Sequence, residues 1–88
     1  MSNPLLRRTC ELAETFLAGV DERPVFPSTS FHQLVEALGG PLPDEPQDPQ
    51  AVIEQLARAA DPGLVATPGP RYFGFVTGGS VPASVAAE

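Results

Sequence analysis

The residue types that carry most enzyme chemistry are sparse in this sequence. It holds one histidine, His32, one cysteine, Cys10, and five basic residues that are all arginine. Without a lysine, the chain has no side-chain amine that could form an imine with a carbonyl substrate or cofactor. A zinc site or a catalytic triad needs further partners beside a lone histidine and a lone cysteine. We therefore expect His32 to be an exposed helix residue, and Cys10 to be a small packing residue or a surface thiol.

The acidic residues form no pair that suggests catalysis. Eleven of them against five arginines give a net charge of −6, and they are dispersed along the chain. Glu11 and Glu14 lie on a predicted helix, and Asp44, Glu45 and Asp48 lie in a predicted loop, where nothing would raise a pKa for acid–base catalysis. The chain also lacks a basic stripe that could neutralise a phosphate backbone, so nucleic acid is not expected as a partner.

A glycine-rich turn at residues 77–80 precedes a predicted helix start, where backbone N–H groups can receive an anion. The turn lacks the lysine of a phosphate-binding loop and the spacing of a dinucleotide fingerprint. A structural turn is therefore the preferred interpretation. A small anion-binding domain built on this turn is the weakest of the functions considered.

The clearest helical pattern lies in residues 3–20, with Asn3 as the N-cap and Pro4 in the first helical position. Apolar side chains recur there at steps of three and four residues. The predicted apolar face comprises Leu5, Leu6, Thr9, Leu12, Ala13, Phe16, Leu17 and Val20. On the other side, Arg7, Arg8, Glu11 and Glu14 have spacings that allow ion pairs.

Further helices are predicted from local start and stop signals. Ser30 and Gln33 have the form of a capping box before a helix over residues 31–38, which residues 39–41 should end. Asp48 should cap a third helix, which residues 61–63 should terminate. Ser80 is the predicted cap of a fourth helix with Pro82 in its first turn.

The connections between these helices are rich in proline. Residues 21–27 should form an extended strap, because proline favours extended geometry in the residue before it. Residues 41–49 hold four prolines and three acidic residues without an apolar period. The expected fold class is therefore mainly α, with short amphipathic helices joined by proline-rich connections.

A chain of 88 residues can bury only about 60% of its unfolded surface. The N-terminus lacks the long apolar core of a signal peptide or a membrane-spanning helix, so a cytoplasmic protein without a membrane partner is expected. The fourth helix has barely begun at Glu88, and we expect the sequence to be a fragment whose core a partner completes.

Several pieces occur in an order that is familiar from one enzyme family. They are the opening amphipathic helix, ERPVFP at residues 22–27, PLPDEPQDPQAVIEQL at residues 41–56, and DPGLVATPGPRYFGFVTGGSVPASVAAE at residues 61–88. Together they resemble the N-terminal region of the pyridoxal-phosphate-dependent group II decarboxylases, the family of aromatic-L-amino-acid decarboxylase. The last piece is the most specific, and the resemblance covers essentially the whole chain.

This resemblance implies the N-terminal segment of a fold type I enzyme, whose α/β parent is an intertwined homodimer. Residues 1–88 would be the helical dimer-swap segment that runs into the start of the large domain, without the cofactor-binding domain. In the family, the position of Phe75 forms an apolar wall of the substrate pocket and that of Thr77 lies near the substrate side chain. The catalytic lysine and the other cofactor-binding residues of the family lie downstream, so the resemblance places none of them in this chain.

The leading hypothesis is therefore a fragment of a decarboxylase, a carboxy-lyase of amino-acid metabolism, that is inactive alone. Its expected partners are the second subunit of a homodimer and, in the parent enzyme, an amino-acid substrate. Pyridoxal 5′-phosphate would be a cofactor of the parent only. The alternative is a non-catalytic helical module whose apolar faces bind another protein.

Overall fold

The structure is a computed structural model that describes residues 3–74 and 79–87. Within these residues it contains four α-helices, α1 (Pro4–Gly19), α2 (Phe31–Leu38), α3 (Pro49–Ala60) and α4 (Pro82–Ala87), with a 3₁₀ helix (Asp61–Gly63) directly after α3. The described residues contain no β-strand. The expected mainly helical fold class is therefore confirmed.

Helix α1 begins where its cap was predicted. The Asn3 side-chain oxygen accepts from the backbone N–H groups of Leu5 and Leu6 over 3.1 and 3.2 Å. Pro4 follows in the first helical position, where a missing N–H group costs nothing. At the other end, the N–H groups of Glu22 and Arg23 both donate to the Gly19 carbonyl oxygen over 3.1 Å, which closes the last turn.

Helix α2 has both hydrogen bonds of the predicted capping box. The Gln33 backbone N–H donates to Ser30 Oγ over 3.1 Å, and the Ser30 N–H donates to Gln33 Oε1 over 2.9 Å. The helix ends at Leu38, and Gly40 follows with a φ of 134°, in a region that favours glycine. The predicted range of 31–38 and the predicted glycine stop are thus confirmed.

Helix α3 starts at Pro49 with Asp48 as its cap, since Asp48 Oδ2 accepts from the Ala51 N–H over 3.0 Å. Helix α4 starts one residue later than predicted. The Val81 carbonyl oxygen, not that of Ser80, accepts the first bonds from Ser84 and Val85. Pro82 therefore occupies the first helical position, for which its fixed φ is suited, and Val81 takes the cap position predicted for Ser80.

Helix α3 lies in contact with both α1 and α2. An ion pair between Arg8 and Glu54 joins α1 to α3. Leu34 of α2 packs against Gly63, where an added β-carbon would lie 2.7 Å from Leu34 Cδ1. The strap predicted over residues 21–27 is not extended throughout, because the chain turns at residues 21–22 and bends at residues 23, 25 and 26. It is held by the Ala66 N–H, which donates to the Val25 carbonyl oxygen over 3.0 Å.

This packing leaves the molecule open. Among the described residues, only Val20 and Ala66 are buried. The chain exposes 7202 Å², whereas a compact monomer of its mass exposes about 4,900 Å². Its radius of gyration is 15.2 Å, against about 12 Å for a compact domain of this length. Large apolar side chains are exposed on each of the four helices, for example Leu6, Phe31, Leu56 and Val85.

Among the described residues, no helix is both long and apolar enough to cross a membrane.

Candidate interaction surface

An apolar groove of about 780 Å³ lies between α1 and α3. Leu12 and Phe16 of α1 form one wall, and Ile53 and Leu56 of α3 form the other. Leu64, after the 3₁₀ helix, also lines the groove and is 42% exposed. We call these five side chains together the α1–α3 groove.

Helical spacing brings the groove residues together. Leu12 and Phe16 are four residues apart in α1, and Ile53 and Leu56 are three apart in α3, so each pair lies on one side of its helix. Not all of the predicted apolar face of α1 contributes to the groove. Leu6 and Leu17 are 65% and 41% exposed and line no part of it.

Arg8 borders the groove and bridges its two helices. Its Nε donates to Glu54 Oε1 over 2.6 Å, and its Nη1 donates to Glu11 Oε2 over 3.1 Å. These hydrogen bonds, first that to Glu54 and then that to Glu11, raise the pKa of Arg8 above its ordinary value. The pair with Glu11 follows the spacing seen in the sequence, whereas the pair with Glu54 needs the packing of α1 on α3.

Arg23 also lines the groove. Its Nη1 donates to Asp61 Oδ1 over 3.1 Å and its Nη2 donates to the Asp61 carbonyl oxygen over 2.8 Å. The guanidinium group lies 4.9 Å from the ring centroid of Phe16, a cation–π distance. The Arg71 side chain donates in turn to the Arg23 carbonyl oxygen. Arg23 therefore ties the strap to the ends of α1 and α3.

The two predicted pocket residues, Phe75 and Thr77, lie outside the described residues, as does Gly78 of the glycine-rich turn. The side chains just before them are described. Tyr72 contacts Phe26 edge to face, with ring centroids 6.5 Å apart, and Phe73 is 93% exposed. The substrate-pocket role of Phe75 and Thr77 stays a prediction.

His32 and Cys10 are both exposed. The prediction of an exposed His32 is confirmed, and of the two alternatives for Cys10 the structure shows the surface thiol and not the packing residue. His32 Nε2 lies 3.0 Å from Glu36 Oε1 on the same helix. The Cys10 thiol donates to Glu14 Oε1 over 3.5 Å. Glu14 raises the pKa of this thiol, first through the hydrogen bond and then through its charge.

In residues 3–74 and 79–87, no three histidine, cysteine, aspartate or glutamate side chains come close enough to hold a metal ion. The groove combines an apolar floor with ion pairs between arginines and carboxylates along its edges. Such a surface is suited to docking another polypeptide, since an exposed apolar patch with a polar border is typical of protein interfaces.

No protein family, curated protein or solved structure matches this chain. The resemblance to the group II decarboxylases therefore rests on the sequence pieces alone.

Proposed function

We propose that this chain is the N-terminal helical segment of a pyridoxal-phosphate-dependent amino-acid decarboxylase. In that role it supplies dimer contacts and part of the substrate pocket, and it is inactive alone. The observation that carries the proposal is the α1–α3 groove, an apolar surface on helices in which no residue is fully buried. In the proposed enzyme, the second subunit fills this groove.

The side chains of this chain do not fit pyridoxal phosphate as a resident cofactor. The cofactor needs a lysine amine for its imine, and the sequence has no lysine. The single histidine, His32, is exposed and lies beside Glu36. It does not line the α1–α3 groove. The proposed contribution of this segment is therefore to assembly and to the substrate side of the pocket, through Phe75 and Thr77.

The coding sequence beyond Glu88 tests the family assignment directly. An in-frame or frame-shifted continuation that encodes a His-Lys pair is expected if the chain belongs to a decarboxylase. A genuine stop without such a continuation would contradict the enzyme assignment and favour the interaction module.

The dimer role is tested by replacing Leu12 and Phe16 together with alanine in the full-length protein. Each such change at a buried contact costs about 2 to 5 kcal/mol, so the two together should cost at least about 4 kcal/mol and raise the dimer dissociation constant at least about 700-fold. Sedimentation equilibrium measures this constant. The matched control replaces Leu6 and Leu17, which lie on the same helix outside the groove, and should leave the constant nearly unchanged. If the two double substitutions changed the dissociation constant equally, the groove would not be part of the dimer interface.

A second candidate is a non-catalytic module whose groove binds a helix of a different protein. The open groove favours it as well, because apolar grooves between helices are a common binding site for amphipathic helices.

A further inference from the structure

The Arg23 side chain lies between the α1–α3 groove and the strap. Its guanidinium group covers the ring of Phe16 in the groove wall, and it makes two hydrogen bonds to Asp61 at the end of α3. Arg23 also lines a second, smaller cavity of about 330 Å³ on the side of the strap. The side chain is only 19% exposed, although it belongs to a connecting segment.

The strap is bonded in turn to residues 66–72, which we call the 66–72 run. The Ala66 N–H donates to the Val25 carbonyl oxygen over 3.0 Å. Further along the run, the Arg71 side chain donates to the carbonyl oxygen of Arg23 itself. Arg23 therefore contacts the groove through its side chain and the run through its backbone.

Apolar contacts reinforce the crossing of the strap and the run. Gly69 lies against Val20, since an added β-carbon there would be 3.3 Å from Val20 Cγ2. Phe26 of the strap contacts Tyr72 edge to face. Val20 and Ala66 are the only buried residues in the described part of the chain. The small buried centre of the molecule is thus at this crossing.

The observed position of Arg23 leaves one of its donors unused. Its Nε is buried, and among the residues that the structure describes it has no acceptor. A buried donor without an acceptor is unfavourable. The position therefore depends on the contacts that the guanidinium group does make, with the Phe16 ring and with Asp61. A cation–π contact of this kind is stronger when water is excluded from it.

We propose that Arg23 is a positioning residue that couples the α1–α3 groove to the 66–72 run. When the groove is covered at Phe16, the guanidinium group is held on the ring, and the strap and the run are held with it. When the groove is open, the guanidinium group moves into water, where Nε is hydrated, and the run loosens. The coupling belongs to the chain itself. Only its use, to link subunit assembly to the chain that leads into the substrate pocket, rests on the proposed function.

Filling the groove from within the chain tests the coupling without a ligand. Ala57 lines the groove, and its carbonyl oxygen accepts from the Asp61 N–H one turn later. Ala57→Leu should slow amide hydrogen exchange at Ala66 at least about twofold, as expected for a strengthened cation–π contact. Ala51→Leu, at an exposed position of α3 outside the groove, is the matched control. Exchange at Gln33 in α2 serves as the internal reference and should stay constant.

The opposite change removes the ring beneath the guanidinium group. Phe16→Leu should speed exchange at Ala66 about two- to fivefold, the factor for an exposed cation–π contact. Leu12→Val, on the same groove wall one turn away, should not. With Arg23→Gln in the background, neither Phe16→Leu nor Ala57→Leu should change exchange at Ala66 further.

Tyr72 provides a spectroscopic signature of the run. The sequence has one tyrosine and no tryptophan, so tyrosine fluorescence reports on this residue alone. Its anisotropy should rise in Ala57→Leu and fall in Phe16→Leu. Arg71→Gln should weaken both Tyr72 responses, whereas exchange at Ala66 should still respond.

The coupling would be overturned by equal exchange rates at Ala66 in the Ala57→Leu and Ala51→Leu proteins. Equal changes at Ala66 and Gln33 would also contradict it, because they would show a change in global stability.

An effect of Phe16→Leu that persisted with Arg23→Gln would show that the groove and the run are linked without Arg23. If the Arg23→Gln protein failed to fold, the comparison of Ala57→Leu with Ala51→Leu would still decide. The dimer dissociation constant of the full-length protein does not enter these measurements, so the proposed dimer role and the coupling can fail separately.

Discussion

Cys10 lies on the exposed surface of α1, one turn before Glu14, and its thiol donates to the Glu14 carboxylate. That hydrogen bond, together with the charge of Glu14, raises the pKa of the thiol. The thiolate is the nucleophilic form of cysteine, so a raised pKa makes the thiol less reactive at a given pH. Exposure alone therefore does not make Cys10 a reactive residue.

Glu14→Ala should make Cys10 react faster with iodoacetamide. Without the hydrogen bond and the negative charge, the thiol pKa should fall, and the pH–rate curve should move to lower pH, toward the ordinary thiol value of about 8.5. Alkylation rates followed by mass spectrometry across that pH range measure the shift. Glu22→Ala, which removes an exposed carboxylate beyond the end of α1, is the control. Superimposable pH–rate curves for the unaltered chain, Glu14→Ala and Glu22→Ala would contradict the role of Glu14.

Arg23 shows which residue-scale features a single sequence does not reveal. In the sequence it is one charged residue in a proline-containing strap. In the structure it binds Asp61, which is 38 residues away, and covers the ring of Phe16. Nothing in the local pattern distinguishes Arg23 from the exposed Arg7, because its partners are brought to it only by the packing of α1 and α3.

At the scale of elements, the three longer helices were predictable because their boundary signals are local. The Asn3, Ser30 and Asp48 caps each satisfy backbone donors within three residues, so the signal and its partner lie in one short stretch of sequence. The predicted start of α4 is wrong by one residue. With Ser80 as the cap, Pro82 would be the second helical residue, whereas in the structure it is the first. The groove was not predicted, since it depends on which helices pack together.

Ser30→Ala should loosen α2 in particular. A helix of eight residues is too short to be stable in water on its own, so α2 depends on its capping box and on the contact of Leu34 with Gly63. Loss of the serine cap should cost about 0.5 to 2 kcal/mol and speed amide hydrogen exchange within α2. Exchange measured by NMR on residues 34–39 reports the change.

The control for this prediction is Ser28→Ala, two residues before the cap at an exposed position. It should leave exchange in α2 unchanged. Similar protection of α2 in both variants would mean that packing contacts such as that of Leu34 with Gly63 hold the helix without the cap.

At the scale of the whole molecule, the helices form an open layer of 43 × 41 × 20 Å rather than a closed core. The caps and ion pairs fix where each helix begins and how α1 meets α3, but they bury little apolar area. The hydrophobic contribution to stability is roughly proportional to that area. The caps and ion pairs that the sequence encodes therefore form within the chain. Its apolar helix faces become buried only if another molecule covers them.

The small buried surface predicts that the free energy of unfolding depends unusually weakly on urea concentration. The m-value of unfolding scales with the surface newly exposed, and the chain hides about 46% of its unfolded surface where a compact domain of similar length hides about 60%. Its m-value should therefore be about a quarter lower than that of such a domain, and its transition correspondingly broad. Circular dichroism during a urea titration, with a compact helical domain of equal length alongside, measures both quantities. A steep transition with the m-value of a compact domain would mean that the chain closes its own core, and the apolar surfaces on which both binding proposals rest would then be lost.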